Sequence, residues 1–374
     1  MDTKNQYLNF YKNKKVLITG NTGFKGSWLT HILLSFGADV IGYSMDAPTV
    51  PNLFSIADLS SNPHLYQVRG DVRDFEQVLS VFRERKPEIV FHLAAQPIVR
   101  DSYKDPIGTY GTNVMGTVNI CEAVRQTFSV RSFLNVTTDK VYENREWEWG
   151  YRECDSLDGY DPYSNSKSCS ELVTHCYRNS FFPDGRVAVS TARAGNVIGG
   201  GDFSNDRIIP DCVRALLEAK KNDIKIAEIG VRNPYSIRPY QHVLDPLFAY
   251  LMIAKRQYED GAFAGYYNVG PDDRDCVNTG DLVTLFCNKW GGISSAAKAF
   301  WVNKAEDNAP HEANFLKLDC SKIKFTVGWK PRWHIEDAME QTINWTRVWL
   351  EGTGSVSVRN EMDKEVEVYF EGNK

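Results

Sequence analysis

Short apolar runs alternate with helical stretches through the first half of the chain, and the earliest of them ends in a glycine-rich loop. These two observations predict an α/β fold: a Rossmann-like, doubly wound parallel sheet with a smaller C-terminal substrate-binding lobe. In such sheets ligands bind beyond the carboxyl ends of the strands. The chain has 374 residues, 42% of them hydrophobic, which is enough for a sizeable core and two lobes.

Residues 15–19 form an apolar run closed by glycines and read as a buried parallel strand. Residues 28–36 have helical periodicity and stop at Gly37. Strands follow at 40–43 and at 66–69, the second ending at Gly70-Asp71. Residues 75–85 are helical up to the approach of Pro87, and 89–93 is the fourth strand. A long helix is expected at 112–128, a fifth strand at 132–136, a helix at 162–179 with Pro162 near its first turn, and a sixth strand at 187–192. After about residue 195 the alternation breaks, at Gly199-Gly200-Gly201 and again over 233–239. The expected division is a cofactor-binding domain, 12–195, to which 240–270 returns, and a lobe made of 196–239 and 271–350. In the tail, 351–374, residues 365–370 alternate like a strand, with no role assigned.

A net charge of −5 argues against a non-specific nucleic-acid binder, since phosphate binding needs a basic face. The first fifteen residues carry charges with no apolar stretch behind them, and no run of about 18 apolar residues occurs, so a cytoplasmic location off the membrane is expected. Eight scattered cysteines without a CxxC, and seven unclustered histidines, predict neither a metal site nor a disulfide framework.

The loop Gly20-Asn21-Thr22-Gly23-Phe24-Lys25-Gly26 follows the first strand and opens a helix. Glycines there let the backbone approach a pyrophosphate, and the helix start supplies amide donors and a positive dipole. Ser44 is the polar group nearest the second strand's end, with Asp46 two positions on. No arginine stands there to meet a 2′-phosphate, so NAD is favoured over NADP. Lys25 falls within this cofactor-binding loop and, taken alone, reads as a solvated loop lysine. Asp71 suits the adenine edge or, equally, a helix N-cap.

Tyr163 and Lys167 are four apart and share a helix face. An ammonium beside a phenol, together with a positive nicotinamide, would lower the phenol's pKa and fit it to take a proton from a sugar hydroxyl. Thr138, Asp139 and Lys140 end the fifth strand, where Thr138 can share the substrate hydroxyl and Asp139 and Lys140 form a further acid–base pair.

At these motifs the chain resembles the extended short-chain dehydrogenase/reductase family over roughly residues 12–345. The Thr-Asp-Lys triplet at 138–140 resembles that of its nucleotide-sugar 4,6-dehydratases, as do Arg193-Ala194-Gly195-Asn196 and Arg238-Pro239-Tyr240-Gln241-His242. Two departures are Asn21, where histidine is frequent, and Tyr240, where tryptophan is usual. The resemblance implies NAD as cofactor and CDP-glucose or a related nucleotide sugar as substrate. It implies that Tyr163 deprotonates the hydroxyl on carbon 4, that Asp139 protonates the departing hydroxyl on carbon 6, and that Lys140 removes the carbon-5 proton or stabilises the enolate. It places Val72, Leu93, Ala94, Ala95 and Gln96 against the cofactor, and Asn113, Asn196, Arg207, Arg238 and Tyr240 at the sugar nucleotide. It implies a homodimer or homotetramer paired through the helices at 112–128 and 162–179. The rival readings are a 4-epimerase on the same scaffold, which has no need of Asp139-Lys140, and a non-catalytic NAD sensor, which would tend to lose Tyr163 or Lys167.

Overall fold

The structure is a computed structural model that describes residues 3–291, 298–304, 315–352 and 354–371. Residues 292–297 and 305–314 of the expected lobe, and 353 and 372–374 of the expected tail, lie outside the described residues. The strands are β1 (Lys15–Thr19), β2 (Asp39–Ser44), β3 (Leu65–Arg69), β4 (Ile89–His92), β5 (Ser132–Thr138), β6 (Ala188–Ala194), β7 (Asn196–Ile198), β8 (Ile226–Val231), β9 (Ile237–His242), β10 (Tyr266–Val269), β11 (Cys276–Asn278) and β12 (Lys298–Asn303). The helices are α1 (Thr3–Tyr11), α2 (Phe24–Ser35), α3 (Leu53–Ile56), α4 (Phe75–Arg85), α5 (Val99–Lys104), α6 (Pro106–Tyr110), α7 (Gly116–Gln126), α8 (Pro162–Phe181), α9 (Ile208–Lys221), α10 (Leu244–Glu259), α11 (Thr279–Gly291), α12 (Ser321–Thr326), α13 (Ile335–Leu350) and α14 (Ser355–Glu371).

Seven parallel strands form the main sheet in the order β3-β2-β1-β4-β5-β6-β10. The order reverses between β1 and β4, which opens a crevice at their carboxyl ends. Strands β4, β5 and β6 are buried along their whole length, as a sheet covered on both faces requires. One face packs on Trp28, Leu29 and Ile32 of α2, Leu247 and Leu251 of α10, and Val358, Met362 and Val366 of α14. The other packs on Val78, Leu79 and Phe82 of α4 and Ile120 and Val124 of α7. A separate cluster joins Ile229 of β8 to Leu216 of α9, Phe286 of α11 and Met339 of α13, and forms the core of the lobe. The lobe also carries a three-stranded sheet, β11-β9-β7, and the pair β12-β8.

Three expectations need correcting. Helix α2 begins at Phe24, directly out of the glycine loop, because Gly23 is its N-cap and no tight turn separates loop from helix. The helix expected at 112–128 is split: Gly111–Met115 is a π-helical turn, and α7 proper starts at Gly116. Residues 365–370 are helical, not extended. The local alternation is coincidental, and the operative spacing is Val358, Met362, Val366, Tyr369, one buried face of α14.

Candidate active site

The glycine loop leaves β1 with Gly20 at φ 72°, in the left-handed region. A Cβ there would lie 2.8 Å from the Ala94 amide nitrogen, and one on Gly26 would lie 2.2 Å from the Gly20 carbonyl oxygen. Side chains are thus excluded on both sides of the turn. The N-cap of α2 makes no side-chain hydrogen bond, so the first-turn amides are left to a ligand. Beneath the loop, Thr19 Oγ1 accepts from the Leu93 and Ala94 amides (3.1 Å each) and contacts His92 Nδ1 at 2.7 Å. Burial and the Lys167 charge push His92 down to about 3, so it is neutral; Thr19 donates to Nδ1, and Nε2–H donates to Thr117 (3.2 Å). These features fit a dinucleotide pyrophosphate cradled at the helix start.

At the end of β2, Ser44 donates to Asn21 Oδ1 (3.0 Å), and Asn21 donates to Gln67 (2.6 Å). The expectation that no arginine stands near this site is overturned. Parallel pairing sets Ser44 beside Arg69 of β3, and Arg69 makes a two-pronged ion pair with Asp46 at 2.8 and 2.6 Å. Its charge is thereby answered by a carboxylate. Asp71 is not a helix cap. Asp74 caps α4 by accepting from the Gln77 amide, while Asp71 pairs with Arg73, which holds its carboxyl below the usual range. The Val72 side chain is committed to the core and its carbonyl to Asn119, so only its amide nitrogen remains for a cofactor.

Thr138, Asp139, Lys140 and Tyr163 meet in one cleft with Lys25, Asn196, Arg207, Arg238 and Tyr240. Tyr163 sits in the first turn of α8, started by Pro162 and capped by Asp161, whose carboxylate accepts from the Ser164 amide at 3.0 Å. Ser168, one turn on, donates to the Val141 carbonyl and pins α8 to the turn after β5. Asp139 is buried, and burial raises its carboxyl above the usual value, against the pull of Lys140 and the Thr138 hydrogen bond. Its Oδ1 accepts from the Thr138 hydroxyl at 2.9 Å, and Oδ2 has no hydrogen-bond partner among the described residues.

The reading of Tyr163 as acidified by Lys167 does not hold in the protein by itself. Burial pushes Tyr163 up to about 12, and the influences that lower it come from Thr138 and Arg207. Lys167 Nζ donates to the Val136 carbonyl at 3.2 Å, and burial lowers it to about 8. Nor is Lys25 a solvated loop lysine. It lines the cleft, and burial with the Arg207 and Lys167 charges lowers it to about 8. Asn113, expected at the sugar, is instead a tether. Its Oδ1 accepts from the Gln96 amide (2.8 Å), and its Nδ2 donates to the Gln96 carbonyl and to Ser166 (2.9 Å). Gln96 in turn folds onto Ile98 and Thr109. Leu93, Ala94, Ala95 and Gln96 leave the end of β4 beside Gly20. Tyr240 is buried, with its hydroxyl 3.1 Å from Thr279.

The sequence reading missed the support beneath the cleft. Glu171 accepts from Thr137, from Thr191 (2.8 Å) and from Arg193 (2.9 Å) in a fully buried ion pair. Its only sequence signal is its place four residues beyond Lys167, and Arg193 comes from β6. Trp28 of α2 donates to the Gly200 carbonyl (2.9 Å) and ties the cofactor helix to the lobe's entrance. Among the described residues no cluster could hold a metal ion, and no helix is long and apolar enough to cross a membrane.

A sequence profile of the GDP-mannose 4,6 dehydratase family matches residues 17–342. The chain belongs to this family. Over 350 residues it is 48% identical to CDP-glucose 4,6-dehydratase of Salmonella typhimurium, covering 92% of this chain and 93% of that one. Among solved structures it is similar to a dTDP-glucose 4,6-dehydratase of Bacillus anthracis in complex with NAD, with a TM-score of 0.73, 22% identity, and 92% and 99% of the two chains covered. It is also similar to an epimerase of Methanothermobacter thermautotrophicus, with a TM-score of 0.75, 22% identity, and 92% and 96% covered. At these identities the solved structures establish the shared fold; membership of the dehydratase family rests on the profile and the Salmonella relative.

Proposed function

We propose that this protein is an NAD-dependent nucleotide-sugar 4,6-dehydratase that converts CDP-D-glucose to CDP-4-dehydro-6-deoxy-D-glucose and water. The observation that carries this reading is the cleft itself. It joins a proton acceptor, Tyr163, to an acid and a base, Asp139 and Lys140, which an epimerase does not require. The 48% identity to a CDP-glucose 4,6-dehydratase supports the choice of nucleotide.

Residues 12–195 with 240–270 would bind the cofactor, and 196–239 with 271–350 the nucleotide sugar. Gly20, Thr22, Gly23, Phe24 and Gly26 would hold the pyrophosphate, with Ser44, Asp71 and the backbone from Leu93 to Gln96 around the rest. Bound NAD supplies a reversible hydride acceptor of positive charge, so the sugar is oxidised only transiently. Tyr163 Oη takes the proton from the hydroxyl on carbon 4, and Thr138 orients that hydroxyl. Lys167 Nζ, fixed on the Val136 carbonyl, presents a cation to the same side of α8. Once carbon 4 is a ketone, the proton on carbon 5 is acidic and passes to Lys140 Nζ. Asp139, whose carboxyl burial raises above the usual value, protonates the departing hydroxyl on carbon 6. Arg207 and Arg238 suit the substrate diphosphate, since a guanidinium offers two parallel donors. The enzyme would act in the cytoplasm in deoxysugar and lipopolysaccharide synthesis. It would pair with a second copy along α7 and α8, where Leu172 and Phe181 are exposed.

The test is to supply CDP-, UDP-, dTDP- and GDP-glucose side by side and to measure the ultraviolet absorbance of the 4-keto-6-deoxy product in alkali. CDP-glucose is expected to react fastest, without net accumulation of NADH. Stoichiometric NADH, or interconversion of glucose and galactose forms, would refute the dehydratase reading.

A further inference from the structure

The dehydratase reading implies a proton account that must balance. In the oxidation, the O–H bond on carbon 4 breaks and its proton goes to Tyr163, while the C–H electron pair leaves as hydride. In the elimination, the C–O bond on carbon 6 breaks with its electron pair, and that oxygen takes a proton from Asp139 to become water. The C–H bond on carbon 5 gives its proton to Lys140 and its electron pair to the new double bond. When hydride returns at carbon 6, carbon 5 recovers a proton from Lys140. Lys140 therefore ends even. Tyr163 ends one proton richer, and Asp139 one proton poorer.

One hydroxyl lies between the two residues left out of balance. Thr138 donates to Asp139 Oδ1 at 2.9 Å. Tyr163 lines the same cleft, and the Thr138 hydroxyl acts on its phenol in the sense that favours the ionised form. A threonine hydroxyl has a single hydrogen. With that hydrogen given to Asp139, its oxygen accepts from the Lys140 amide at 3.4 Å and keeps a lone pair for the Tyr163 hydroxyl in the shared cleft. This is the arrangement in which a proton held by Tyr163 can move to Thr138 as Thr138 passes its own to Asp139. Thr138 and Asp139 are both buried, so bulk water has poor access to the pair. Asp139 Oδ2 is buried and has no partner among the described residues, so no second hydrogen bond holds the carboxyl on that side.

We infer that Thr138 relays a proton from Tyr163 to Asp139, so that the proton taken from the hydroxyl on carbon 4 leaves on the water expelled from carbon 6. One hop, after the oxidation and before water leaves, balances both residues. The relay rests on the dehydratase reading and adds to it a role for Thr138 beyond orienting the substrate hydroxyl.

The experiment compares Thr138→Val, which keeps the shape and loses the hydroxyl, with Thr138→Ser, which keeps the hydroxyl. Two substrates are used: CDP-glucose, and CDP-6-deoxy-6-fluoro-glucose, whose fluoride departs without a strong acid. Single-turnover absorbance of the reduced cofactor reports oxidation, and product or fluoride release reports elimination. Calorimetric binding of CDP reports that the site is folded. Thr138→Val is expected to bind CDP normally and to lose roughly 100-fold more in eliminating water than in oxidation, so that reduced cofactor accumulates. Fluoride loss should be slowed no more than oxidation, and Thr138→Ser should restore water elimination. Equal slowing of oxidation and both eliminations would overturn the relay and leave Thr138 a positioning residue. An unmodified protein that does not turn over CDP-glucose would instead sink the dehydratase reading.

Discussion

Replacing Glu171 with Gln tests whether the cleft stands on a buried ion pair. Glu171 and Arg193 are 1% and 3% exposed as side chains and 2.9 Å apart. Their remaining bonds run to Thr137, Thr191, the Tyr142 hydroxyl (2.9 Å) and the Glu153 carbonyl (3.4 Å). Glutamine removes the charge and turns an amide donor toward a donor already present, which leaves the guanidinium unpaired in the core. Breaking a buried pair in this way costs about 3–5 kcal/mol. The unfolding free energy from urea titration should fall by that amount. The same change should alter catalysis in a stated direction. The Glu171 charge opposes the burial that lowers Lys167 to about 8, so its loss lowers Lys167 further. The alkaline limb of the pH–rate profile should then move toward neutral pH. Replacing Arg193 with Met as well should recover part of the stability, because no buried charge is stranded. A loss of about 1 kcal/mol or less, the worth of an exposed pair, would show that the interaction does not act as a buried one.

Other outcomes follow from the same structure. Tyr163→Phe should abolish turnover while NAD binding, followed by quenching of protein fluorescence, is retained. Gly26→Ala brings a Cβ to within 2.2 Å of the Gly20 carbonyl, so NAD affinity in the same titration should fall roughly tenfold or more, about 1.4 kcal/mol. Burial raises Asp245 from 3.8 to about 7, so it favours the folded state fully below pH 3.8, and that contribution is lost as pH rises through 7. Asp245→Asn keeps an acceptor for the Arg332 amide and the Tyr369 hydroxyl (2.8 and 2.9 Å) and should be the more stable protein above pH 7, the advantage vanishing near pH 4. Tyr369→Phe, read by urea titration, should cost about 1 kcal/mol through the lost hydrogen bond.

The sheet was readable where strands are buried on both faces. Runs such as 15–19, 89–93 and 132–136 are short and mainly apolar, and that pattern recurring between helical stretches has few other structural solutions. Periodicity failed in two places where the deciding contact is distant in sequence. The π-turn at 111–115 sits where Asn113 must reach both Gln96 and Ser166, a demand invisible to local spacing. The tail is helical because it packs on α2 and α10, more than a hundred residues upstream. The cleft shows the same split. The four-residue spacing of Tyr163 and Lys167 puts them on one helix face, yet where their protons reside depends on burial, on the Val136 carbonyl and on Thr138. Arg69 comes to Asp46 only through strand register, and Lys25 lines one cleft with Arg207 and Arg238, which are distant in sequence.

Helix α14 supplies Val358, Met362, Val366 and Tyr369 to the core beneath the main sheet, and it follows α10 far along the chain. Until α14 has emerged from the ribosome, that side of the sheet is uncovered. At roughly 5–20 residues per second, α10 is made several seconds before α14, and its apolar surface must wait exposed for that interval. That face of the nascent protein therefore cannot finish collapsing until α14 has emerged.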